Sequence, residues 1–93
     1  MNGNKTEYQE LIIGRIRQIR VENNISQNKL AQILNISVGQ VGNIESPRYP
    51  HKYTLKQIFE ICDYLNHSII DVFDEKHTND TLVIIKKIIE YEG

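Results

Sequence analysis

Residues 25–45, ISQNKLAQILNISVGQVGNIE, decide the fold of this chain. Ser26 carries the short side-chain oxygen that helix N-caps favour, and Leu30, Ile33 and Leu34 then recur at the spacing of one helical face. Asn35 ends that run, and asparagine tolerates the left-handed backbone that a tight turn after a helix needs. Ser37 and Gln40 stand at the spacing of a capping box, in which each side chain satisfies the other residue's backbone N–H. They open a second short helix with Val41 and Ile44 facing inward. The stretch therefore predicts helices over residues 27–34 and 38–45, joined by a turn around Asn35. Two such helices cross steeply, and the close crossing is served by the small side chain of Ala31.

Outward from this centre, helical signals continue in both directions. Thr6 and Gln9 form another capping-box pair, followed by Tyr8, Ile12, Ile16 and Ile19 at helical spacing; this helix ends at Asn23 or Asn24, with Gly14 as a weak point inside it. Pro47 and Pro50 mark a loop over residues 46–53. Thr54 and Gln57 open a fourth helix whose apolar set is Leu55, Ile58, Phe59, Ile61, Cys62 and Leu65. Ser68 starts a short fifth helix carrying Ile69, Val72 and Phe73. After a polar connector at residues 74–79, a last segment starts at Asp80 or Thr81 and runs over residues 82–91. Its first half, Leu82-Val83-Ile84-Ile85, is β-branched enough for a strand, whereas Lys86 to Glu90 suit a helix. Helix is the reading taken, so the chain is expected to be all-α.

With 93 residues, 40% apolar and 25% charged, the composition suits one globular domain. A single cysteine, Cys62, allows no intrachain disulfide and fits a reducing compartment; its apolar neighbours place it in the core. No apolar run approaches the ~20 residues that span a membrane, and residues 1–10 lack a signal-peptide core. A cytoplasmic protein is expected. The formal net charge is −1, yet residues 1–57 hold eight Lys or Arg against four Asp or Glu, and residues 58–93 hold three against eight. The half containing the two crossing helices is thus the basic half, a distribution suited to a polyanion; chance scatter on a solvated surface is the plainer reading. His51, His67 and His77 show no metal-ligand spacing with one another or with Cys62. No carboxylate pair, nucleophile with base, or glycine-rich phosphate loop stands out. An enzyme, a cofactor, a metal and a small-molecule ligand are therefore not expected.

The pattern Ile16-Arg17-x-x-Arg20, Ser26-Gln27-x-x-Leu30-Ala31, Ile36-Ser37, Val41-x-x-Ile44-Glu45 resembles the phage-repressor and Cro type of helix-turn-helix. Leu55, Ile58, Leu65 and Ile69-x-x-Val72-Phe73 match that family's fourth and fifth helices, so the resemblance covers residues 12–73. It implies a compact five-helix bundle over residues 1–74, with residues 75–93 as a C-terminal extension and candidate dimerisation element. It also implies a transcription regulator that binds double-stranded DNA as a homodimer, most simply a repressor. Residue by residue, Val38, Gly39, Gln40 and Asn43 are candidates for base contact. Gln27, Ser37, Arg48, Tyr49, His51 and Lys52 are candidates for phosphate contact, and Arg20 is expected to pair with Glu45. Helix N-termini and basic side chains suit phosphates, and a glutamine can pair with adenine through two bonds.

Plainer readings stand beside these. Gln40 could serve only as the capping partner of Ser37, and Gln27 could be an exposed helix residue. Arg15 and Arg17 could be solvated or paired with Glu22 and Glu45. Leu82, Ile85, Ile88 and Ile89 form a stripe that either completes the core or makes a dimer seam. Gly39 and Gly42 thin out the recognition helix, and the loop after it is longer and richer in proline than the family's commonest form. These departures keep open a protein-interaction module with weakened DNA binding. A restriction-modification controller protein or an antitoxin would share the same fold.

Overall fold

A computed structural model describes residues 4–74 and 80–93. Most of the expected polar connector, including His77, and the domain boundary drawn at residue 75 lie outside the described residues. Among these there are six helices and no strand: α1 (Glu7–Glu22), α2 (Gln27–Leu34), α3 (Val38–Glu45), α4 (Leu55–Tyr64), α5 (Ile69–Phe73) and α6 (Thr81–Glu92).

The caps act where the sequence placed them. The hydroxyls of Thr6, Ser26, Ser37 and Thr54 accept from the backbone N–H of Gln9, Lys29, Gln40 and Gln57. Gln9, Gln40 and Gln57 return the bond, their Oε1 atoms accepting from Thr6, Ser37 and Thr54 N–H at 3.0, 3.0 and 2.9 Å. Each cap satisfies amides that the first helical turn leaves unpaired, at about 1 kcal/mol apiece. Ser68 precedes α5 without a side-chain capping bond. Asn24, Asn35 and Asn66 follow helix ends with φ of 56°, 56° and 52°, so asparagine supplies the left-handed residue three times over.

One apolar core joins α1 (Tyr8, Ile12, Ile13, Ile16), α2 (Leu30, Ala31, Leu34), α3 (Val41, Ile44) and α4 (Ile58, Ile61, Cys62). Tyr53, Val72, Phe73 and Tyr91 complete it. Burial pushes the Cys62 thiol up to about 11, which keeps it protonated and unreactive at neutral pH. Phe59 departs from the expectation that it lies in the core: it is 56% exposed. The stripe that points inward is Ile58, Ile61 and Cys62, and a residue one step on from Ile58 is turned about 100° off that stripe.

The C-terminal segment is a helix and not a strand. The Asp80 carboxylate accepts from Leu82 N–H at 3.0 Å, starting α6, which then packs on α1 and α5. Its anchor is Tyr91, a residue the periodicity did not single out. Tyr91 is fully buried, meets Phe73 edge to face at 5.8 Å, and donates its hydroxyl to Tyr53 O at 2.8 Å. Gln9 Nε2 in turn donates to Tyr91 O at 2.8 Å. Ile88 packs against the core, whereas Leu82, Ile85 and Ile89 remain 68%, 45% and 65% exposed.

The helices are keyed together by a buried ion pair. Arg20 Nε and Nη2 donate to Glu45 Oε2 and Oε1 at 2.8 and 2.9 Å, and Arg20 Nη1 donates to Ile25 O at 2.8 Å. Gln27 Nε2 adds a bond to Glu45 Oε1 at 3.0 Å. The pair is the one that the family resemblance implies. In the fold both side chains are at most 9% exposed. Removing one partner of such a pair strands a buried charge, which costs about 3–5 kcal/mol.

Two stability measurements check this account. Glu45→Gln should lower unfolding free energy in urea by about 3 kcal/mol or more, since it leaves the Arg20 charge unpaired; an unchanged midpoint would show the network to be incidental. Asn35→Ala should destabilise by about 1–2 kcal/mol through its left-handed backbone, while Asn35→Gly should be tolerated at that angle. Equal losses for the two would locate the role of Asn35 in its side chain.

Candidate nucleic-acid interface

α2 and α3 meet across Asn35, whose left-handed backbone turns the chain and lets Ile36 N–H bond to Ala31 O at 3.0 Å. Val41 and Ile44 bury one face of α3. At 3.6 residues per turn the opposite face is centred on Gly39, with Gly42 and Asn43 beside it. Ser37, Val38, Gly39 and Gln40 are exposed, and Gly42 and Asn43 are half-buried. The result is a helix whose outer face is nearly bare backbone at its N-terminal half, with Val38 and Gln40 flanking it.

Gln40 carries out the capping role: its Oε1 accepts from Ser37 N–H, while its Nε2 remains the donor turned to no partner within the box. In that state the amide can donate to an acceptor on a base edge. Two-bond pairing with adenine needs Oε1 as well, and so requires the box to open. Neither glycine is required by packing. A Cβ at Gly39 would meet only Ser37 Oγ at 3.8 Å, and one at Gly42 only Gln27 Oε1 at 3.9 Å.

The candidate phosphate contacts divide into two groups. Arg48, Tyr49 and His51 are exposed on the loop after α3, with the Tyr49 and His51 rings edge to face at 6.0 Å. Ser37 is exposed at the start of α3. Gln27 and Lys52 are half-buried and already bonded inside the fold. Gln27 serves Glu45, and Lys52 Nζ donates to Glu92 O at 2.6 Å and Tyr91 O at 3.2 Å.

Other basic side chains of the first 57 residues also bond inside the fold. Lys5 Nζ donates to Ile44 O and Ser46 O at 2.6 and 2.7 Å, closing the C-terminus of α3, and burial pulls its pKa below the usual lysine value. Arg15 Nη1 donates to Val72 O at 2.7 Å, serving the end of α5. Lys5, Arg15, Arg20 and Lys52 therefore act largely inside the molecule. Arg17, Lys29, Arg48 and Lys56 remain on the surface; the Arg17 side chain is 60% exposed, with its Nε 3.6 Å from Glu45. Lys5 and Arg15 carry no local sequence signal, because each bonds to a carbonyl dozens of residues away.

Among the described residues no group of His, Cys, Asp and Glu could hold a metal ion, and no helix is long and apolar enough to cross a membrane. Neither any curated protein nor any solved structure matches the chain. A helix-turn-helix family model matches residues 16–68, more than half of the sequence, and it spans α2, α3 and the loop between α3 and α4. That match, on the crossing helices and exposed outer face of α3 already described, places the chain in the Cro/C1-type helix-turn-helix family, whose members are DNA-binding regulators of the XRE type.

Proposed function

We propose that the protein is a sequence-specific transcriptional repressor that binds double-stranded DNA as a homodimer. The observation that carries this reading is the outer face of α3, where Gly39 leaves the backbone bare between the exposed Val38 and Gln40. A helix presented in this way fits a major groove, with its N-terminal residues nearest the base edges. A glycine at this position favours close approach of backbone to DNA. Base contact is assigned to Val38, Gly39, Gln40 and Asn43, and backbone contact to Ser37, Arg48, Tyr49 and His51. Gln27 and Lys52 act instead by holding Glu45 and α6.

The dimer seam is assigned to Leu82, Ile85 and Ile89. Together they give α6 an apolar face turned away from its own core, and a second copy of the same helix would cover it by two-fold symmetry. Residues 1–74 would then form the DNA-binding unit and α6 the assembly element, with half-sites about one helical turn apart.

One observation favours a second reading. Four basic residues of the first 57 are engaged internally, which leaves a thinner cationic surface than the sequence suggests. A protein-interaction module that keeps the fold and has lost most DNA reading would show no detectable shift of random DNA, even at low salt.

Selection from a random DNA pool tests the main reading: a two-fold symmetric motif is expected, and failure to enrich any motif would remove it. Gly39→Ala should leave thermal stability unchanged or slightly raised and weaken operator binding by tenfold or more, through the added methyl in the groove; an unaltered affinity would place the DNA elsewhere. Ile85→Glu with Ile89→Glu should convert a dimer to a monomer in sedimentation while leaving the helical signal intact. Retention of the dimer would move the seam away from α6.

A further inference from the structure

The loop over residues 46–53 is pinned at both ends by residues outside the matched family region of 16–68. At its start stands the Lys5 ammonium, bonded to Ile44 O and Ser46 O. Its far end is held by the last turn of α6. Lys52 Nζ bonds to Tyr91 O and Glu92 O and lies 5.4 Å from the centroid of the Tyr91 ring, while the Tyr91 hydroxyl bonds to Tyr53 O. Between the two anchors, residues 47–51 are exposed and carry Arg48, Tyr49 and His51.

The last carbonyls of a helix lack intrahelical donors and carry partial negative charge, so an ammonium is favoured there. Lys52 fills that role for α6, and its charge is compensated before any DNA arrives. A loop fixed at both ends also loses less conformational freedom when it meets a ligand, which strengthens binding without adding a contact.

We propose that the C-terminal turn of α6 positions this loop for its contact with the DNA backbone, with Lys52 and Tyr91 as positioning residues and Lys52 making no phosphate contact of its own. The proposal rests on the DNA-binding reading above. It links the outer face of α6, assigned to dimerisation, to the DNA-facing loop through one helix, so that loosening α6 loosens the loop.

The test uses the full chain with Lys52→Met, which keeps an unbranched side chain and removes the ammonium, and Tyr91→Phe, which keeps the ring against Phe73 and removes only the hydroxyl. Arg48→Ala serves as the comparison. In DNA-free protein, nitrogen-relaxation order parameters at Arg48, Tyr49 and His51 should fall in both variants from the rigid range of about 0.85 towards about 0.6, with those of Val41 and Ile58 unchanged. DNA affinity should fall by about three- to tenfold with an unchanged salt slope, whereas Arg48→Ala should reduce that slope by about one. Loop order parameters equal to those of the parent protein would overturn the proposal, as would a slope reduced by about one in Lys52→Met. Lower loop order parameters in both variants, in a protein whose parent binds no DNA, would support the clamp while removing the function proposed above.

Discussion

The Glu45 carboxylate is the constraint on which the rest of the arrangement depends. It sits at the end of α3, accepts two bonds from Arg20 of α1 and one from Gln27 of α2, and is almost fully shielded from water. One carboxylate thus ties together three helices, and removing any charged partner would strand a buried charge. Arg20 also holds Ile25 O, and so fixes the turn from which α2 departs. The presentation of the outer face of α3 follows from this network together with the inward packing of Val41 and Ile44.

Around that centre, the cationic side chains have been turned to structural use. Lys5 closes α3, Arg15 serves α5, and Lys52 closes α6, each bonding to carbonyls near a helix C-terminus. This matches the negative end of the helix dipole with positive charge, and it thins the surface available to a polyanion. In the function proposed above, specific binding on such a surface would lean on fit, meaning a bare helix face and a pre-positioned loop, more than on the number of phosphate contacts.

α6 extends this logic. Its inner face adds Tyr91 to the core and anchors the loop after α3, while its outer face leaves Leu82, Ile85 and Ile89 unpartnered within the subunit. A helix of this length is marginal on its own, so its stability comes from what it packs against. Within the apolar stripe, Ile88 lies on the core side and the other three residues face out.

The sequence by itself determined the elements. Caps are local, since Thr6, Ser26, Ser37 and Thr54 each act on an amide three residues away, and the turn at Asn35 depends on the backbone preference of one residue. The inward stripe of α3 and the pairing of Arg20 with Glu45 were legible as well, the first from periodicity and the second from family resemblance. Only the tertiary structure decided which charges are free, because a lysine that bonds to a carbonyl about forty residues away leaves no local mark. It also decided that Phe59 faces solvent while Tyr91 lies at full burial. Helical spacing shows which residues share a face, but only the neighbouring elements determine which face is covered.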